Sequence, residues 1–182
     1  MRAYYHDNKP TDQRLPHDDD VEELSIESLK AVGVLGYNLS QPGTASSDDA
    51  IAKIDKIAAE RDYKNRDSVL ISPDGFGSAE AYKTKLGIFY EEHLHEDEEI
   101  RYILEGEGFF DVRTLEDRWV RVHMTAGDLL ILPAGIYHRF TPTASDFVRA
   151  MRLFKDEPKW TPLPRPCDNN VHRLNYLSSV SA

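Results

Sequence analysis

Apolar residues recur at threes and fours in two stretches of the first half of the chain, and past about position 87 they gather into short runs instead. In 25–33, Ile26, Leu29 and Val32 are three apart and Gly33 stands where a left-handed cap ends a helix, which predicts one short helix. A second is predicted from Ser47, a capping residue, through Asp48 and Asp49 at the positive helix end, to the stripe Ile51, Ile54, Ile57 and Ala58. A third helical stretch is predicted over about 78–85. The acids at 18–20, with Glu22 and Glu23, read as the solvated approach to the first helix.

Beyond Gly87 the runs 87–90, 101–104, 108–113, 119–124, 128–132, 138–141 and 148–154 are rich in β-branched and aromatic residues. Turn formers such as Gly106, Gly108, Gly127 and Gly135 separate them. Seven short strands at such spacing predict an antiparallel barrel or sandwich. From Glu157 the tail carries Pro158, Pro162, Pro164, Pro166 and the turn former Asn169, so irregular chain wrapping the barrel is expected. The expected organisation is a single domain over 1–182: a helical decoration at 1–85, a β core at 86–156 and an irregular tail at 157–182.

Composition narrows the function classes. With 182 residues, 40% hydrophobic and 30% charged, the chain suits one folded domain. A net charge of -10 repels phosphate backbones and argues against nucleic acid as a partner. The longest apolar runs, such as Leu129 to Leu132, are strand-sized, so no membrane insertion is expected. Cys167 stands alone, which rules out an intrachain disulfide, fits a reducing compartment and is read as inert. The first residues lack an apolar signal core, so the expected location is the cytoplasm, with the nucleus also open.

His93 and His95 are one residue apart and share a face of any strand they form; Glu99 has the same parity. Two imidazoles and a carboxylate outline a metal site, although a lone His-x-His pair in an acidic loop is more often ordinary barrel surface. The wider spacing is more specific. Gly87-x5-His93-x-His95-x3-Glu99-x6-Gly106 resembles the first cupin motif, and Gly127-x5-Pro133-x-Gly135-x2-His138 resembles the second. Pro142 replaces the asparagine usual at the end of the latter. The resemblance implies a mainly β fold, the cupin double-stranded β-helix or jelly-roll barrel, with short helices mostly in the N-terminal third. It also implies that glycines and proline turn the barrel's corners and bring His138 to the other three ligands. Three imidazoles and one carboxylate leave two adjacent positions open on an octahedral ion. A closed structural zinc site would want thiolates, which Cys167 alone does not supply.

The run FYEEHLHEDEEIRYILEGEGFFDVR at 89–113 is more particular still, as are LPAGIYHRFT at 132–141, AMRLFKDEPKW at 150–160 and AYYHD at 3–7. They resemble the acireductone dioxygenase family. That resemblance implies one Fe2+ or Ni2+ per chain on His93, His95, Glu99 and His138, with Arg101 compensating the charge of a substrate dianion. Phe140, Trp160 and Phe89 would wall a methylthio tail. It implies cleavage of an acireductone by O2 in methionine salvage. The products would be formate and 4-methylthio-2-oxobutanoate with iron, or formate, carbon monoxide and 3-methylthiopropanoate with nickel. A monomer is expected. Arg101 has a second reading as a partner of the nearby acids, and Phe140 and Trp160 as barrel core. His123 reads as a surface or packing histidine, and His6, His17 and His172 have no assigned role. The alternatives are another metal-dependent cupin dioxygenase and a cupin that only binds a partner; an intact four-ligand set argues against the latter.

Overall fold

The computed structural model describes residues 1–19, 21–41, 43–155 and 161–181. Among these residues eleven strands are interspersed with three α-helices: β1 (Arg2–Tyr5), β2 (Glu23–Leu24), β3 (Leu35–Asn38), α1 (Asp48–Glu60), β4 (Asn65–Ile71), α2 (Ala79–Tyr90), β5 (His93–Leu94), β6 (Glu99–Arg113), β7 (Trp119–Thr125), β8 (Asp128–Leu132), β9 (His138–Pro142), β10 (Val148–Phe154), β11 (Leu163–Pro164) and α3 (Val171–Val180). One sheet runs β11-β5-β9-β6-β7-β1-β2, and the other pairs β4, β10, β6, β8 and β3 in that order. All pairings are antiparallel. The architecture is the mainly β jelly roll expected of a cupin.

The sheets share β6, a strand of 15 residues where two separate ones were expected. Its first half pairs β8 and β10, its second β7 and β9. Between the halves the register on β10 jumps from Glu105 to Ile103, so Leu104 is the extra residue of a β-bulge. Odd-numbered Glu99, Arg101 and Ile103 face the barrel interior before the bulge, and even-numbered Phe110 and Val112 do so after it. Gly106 follows with φ +74, and a Cβ there would lie 2.1 Å from the Phe147 carbonyl oxygen. Only glycine fits that bend.

Two apolar clusters flank the second sheet. The interior cluster includes Ile103, Phe110, Val112, Val122, Leu130 and Phe140. The opposite face, with Ile100, Tyr102, Leu129, Ile131 and Leu153, takes the Ile54, Ile57 and Ala58 stripe of α1. Ser47 caps α1 through a bond from the Ala50 N–H, as its sequence predicts. The first predicted helix forms as a 3-10 helix, Ile26–Val32, between Ser25 and the left-handed Gly33.

Several expectations need correction. The run 87–90 is not a strand but the last turn of α2, where Phe89 continues toward the core from buried Tyr82 and Leu86. A short apolar run does not distinguish helix from strand by itself, and here the preceding capped helix decides. Gly87 therefore turns no barrel corner. The N-terminal portion carries strands beside its helices, because β1, β3 and β4 extend the edges of both sheets. The acidic segment leads into the 3-10 helix through β2, which Glu23 opens, and Arg2 pairs Glu23 and Asp18 at the surface. Among its described residues the tail is not wholly irregular. Its prolines end at Pro166, and Asn170 then caps α3, whose Tyr176 is buried with its hydroxyl on the Val32 carbonyl. Among the described residues, no helix is long and apolar enough to cross a membrane.

Candidate metal centre

Four side chains converge at one end of the barrel interior. His93 comes from β5, His138 from β9 directly opposite it in the ladder, Glu99 from the start of β6 and His95 from the link between β5 and β6. All four are buried. Ligand atoms of the three histidines lie within 4.8 Å of one another. Glu99 Oε2 lies 3.0 Å from His95 Nε2 and 3.3 Å from His138 Nε2. Each imidazole is oriented from behind by a main-chain carbonyl: His93 Nδ1 on Glu91 at 2.6 Å, His138 Nδ1 on Ile136 at 3.0 Å and His95 Nδ1 on Thr161 at 3.3 Å. A carbonyl oxygen only accepts, so each Nδ1 holds the proton and each neutral ring keeps Nε2 for a ligand bond.

Electrostatics agree for His93 and Glu99. Burial, joined by the neighbouring His138, pushes the His93 imidazole down to about 4, which favours its neutral form. Burial works to raise the Glu99 carboxyl, but Arg101 and the His138 and His95 rings outweigh it and hold it well below its usual range. His95 is also depressed by burial, and the bond and charge of Glu99 more than reverse this. Three imidazoles and one carboxylate, with no thiolate, fit a borderline divalent first-row ion.

Arg101, two residues along β6 from Glu99, approaches its Oε1 at 3.3 Å through Nη2 and donates to the Ile100 carbonyl through Nη1. The cavity that these groups share measures about 290 Å³. Phe89, Phe110, Ile103, Phe140 and Val148 form its apolar wall. Phe140 stacks at a tilt on Phe110 and meets Phe89 edge-on. Trp160 lies outside the described residues. His123 sits at the barrel exterior, 2.7 Å from Glu107.

Comparison with known proteins bears directly on this centre. A model of the ARD/ARD' family matches residues 2–162. The chain belongs to the ARD/ARD' family. It is 51% identical over 183 residues to the acireductone dioxygenase of Yarrowia lipolytica, covering 100% of both chains. To that of Emericella nidulans it is 50% identical over 184 residues, covering 100% of this chain and 97% of the relative. A solved acireductone dioxygenase from Bacillus anthracis, with a cadmium ion in its active center, superposes with TM-score 0.68 at 24% identity. The match covers 90% of this chain and 98% of that one, and supports the cupin fold.

Sequence reading missed several groups around this ARD/ARD' centre. Lys85, Ile88 and Arg152 also line the cavity, as do Val69 and Ile71 from β4. Alternation in β10 places Arg152 on the same face as Ala150, a usable signal; nothing local announces Lys85, because it enters through the packing of α2. The tail braces the ligands: Thr161 orients His95, β11 pairs β5, and the Asn170 amide donates to Glu96 at 3.0 Å. A second buried group went unassigned, in which the rings of His6 and His17 stack 4.3 Å apart and His17 Nδ1 donates to Asp7 at 2.8 Å. Burial pushes His6 down to about 4.

Proposed function

We propose that this single-domain, monomeric chain is an acireductone dioxygenase of methionine salvage, holding one Fe2+ or Ni2+ on His93, His95, Glu99 and His138. Its substrate in this reading is 1,2-dihydroxy-3-oxo-5-(methylthio)pent-1-ene. The observation that carries the reading is the convergence of that four-donor set with Arg101 in one small, apolar-walled cavity. Its volume of about 290 Å³ is at the small end of ligand sites, suited to a compact metabolite. When bound, the ion supplies Lewis acidity and a template for the enediol oxygens and O2. The Arg101 guanidinium offers positive charge to the substrate dianion beside Glu99. Phe89, Phe140 and Val148 receive the methylthio tail and keep water from the reacting carbons. The three carbonyls behind the histidines keep the donors fixed while substrate enters.

One preparation of apo-protein, loaded separately with iron and nickel and given the same acireductone and O2, tests this. Iron protein should yield formate and 4-methylthio-2-oxobutanoate; nickel protein should release carbon monoxide with formate and 3-methylthiopropanoate. Identical products from both would overturn the dual chemistry, and no oxygen uptake from either would overturn the dioxygenase.

Arg101→Leu is expected to retain the metal and lose activity. Removing one partner of a desolvated ion pair costs about 2–5 kcal/mol, so kcat/KM should fall roughly 30-fold or more. Full activity in a metal-replete variant would assign Arg101 to structure alone.

A further inference from the structure

The cavity reverses the charge balance of the chain around it. Acidic residues outnumber basic ones 32 to 22 in the sequence. Among the described charged residues lining the cavity, Lys85, Arg101 and Arg152 are cations and Glu99 is the one anion. In the proposed centre Glu99 is committed to the metal.

The cations are ordered by depth. The Arg101 side chain is 14% exposed and that of Arg152 26%. Lys85, on α2, is exposed at the cavity mouth. Arg152 stands directly opposite Arg101 in the β10–β6 ladder, and Asp67 directly opposite Arg152 in the β4–β10 ladder. Asp67 takes Arg152 Nε at 2.7 Å and Nη2 at 2.5 Å, so the second guanidinium is held in a fixed, forked geometry. Like charges placed directly opposite each other across a sheet are unfavourable, and a site that binds anions gives them a use. Among the described residues, Lys85 has no hydrogen-bond or ion-pair partner.

We propose that Lys85 and Arg152 form a cationic approach to the centre: Lys85 draws small organic anions to the mouth, and Arg152, held by Asp67, passes them to Arg101. The ligands are enediolates and 2-oxo carboxylates. For the enediolate, this rests on the acireductone reading above. A net charge of -10 otherwise repels such substrates, so local reversal of sign at the mouth raises capture whether encounter or a prior binding equilibrium limits kcat/KM.

The test has two arms. In the first, kcat/KM for acireductone is measured at low and high ionic strength for wild type, Lys85→Gln and Lys85→Glu. The loss at low salt should be roughly threefold for Gln and about tenfold for Glu, should fall on kcat/KM more than on kcat, and should shrink at about 1 M salt, where screening acts within about 3 Å. In the second, zinc-loaded protein is titrated with 2-oxobutanoate by calorimetry, and both Lys85→Glu and Arg152→Gln should bind it more weakly than wild type. The second arm needs no turnover, so it tests the cationic approach even where wild type fails to consume acireductone. Losses independent of salt, unchanged affinity for 2-oxobutanoate in both variants, or no measurable binding by wild type would overturn the proposal.

Discussion

Replacing His138 by alanine or glutamine should strip the protein of its divalent ion and of turnover while the barrel still folds. His138 sits at the middle of the constellation, opposite His93 in the ladder, 3.3 Å from Glu99, and fixed through Nδ1 by the Ile136 carbonyl. Losing a mere supporting partner of a ligand costs about 10–100-fold in metal affinity, and losing one of four donors should exceed that range. Glu99→Gln should weaken binding similarly, because it removes the one negative charge in the set. It also leaves Arg101 without the carboxylate 3.3 Å away. Metal content after dialysis against a chelator, with circular dichroism to confirm folding, checks both variants. A folded His138→Ala protein retaining one equivalent of metal would remove that residue from the ligand set.

Asp111→Asn should cause the largest loss of stability. Asp111 and Arg121 are almost wholly buried, and their side chains meet through Nε at 2.7 Å and Nη2 at 2.9 Å. Arg139 Nε adds a third bond at 2.7 Å, and Arg121 also ties down the Gln13 and Leu15 carbonyls. Removing the single carboxylate leaves two guanidiniums facing each other, at a cost of about 3–5 kcal/mol. For a chain of this size that corresponds to roughly 10 °C in Tm. Burial acts to raise the Asp111 carboxyl, yet Arg121 and Arg139 hold it below its usual value. Its contribution is therefore complete above the unfolded value of about 4 and lost as pH falls through the lower folded value. Melting curves at pH 7 and pH 3 should show the gap between wild type and variant narrowing in acid. An equal gap at both pH values would mean that the charge of Asp111 is not what stabilises the fold.

The parts of the molecule legible in its sequence were those governed by local rules. Ser47 with the Ile54 and Ile57 stripe, and Ser25 with Gly33, carry cap and period within a few residues, and both helices form where expected. Strand alternation placed Glu99 and Arg101 on one face, and the two spaced motifs placed His138 beside them. What stayed hidden depends on contacts between distant segments. Phe89 resembles a strand residue until α2 packs against the barrel. The second half of the tail resembles loop until Asn170 caps α3 and reaches Glu96. The stacked pair His6 and His17 comes from a stretch without secondary-structure period, so no spacing rule could join them.

The bulge at Leu104 means that β6 is written in two phases. Its first half uses odd positions for the proposed metal end, and its second uses even positions for the greasy floor, leaving odd-numbered Asp111 on the sheet's other face, buried beneath the 13–15 segment, to lock Arg121 and Arg139. Deleting one residue between Ile103 and Gly108 would merge the phases. Asp111 would then swing inward as Phe110 and Val112 turned out, so either the metal end or the charged lock would be lost. A change of length in the loop 114–118 shifts no such parity, because that loop lies between β6 and β7 and not within a strand. For this reason a change in the count of residues from Glu99 to Val112 costs the molecule more than a change in the identity of most residues within it.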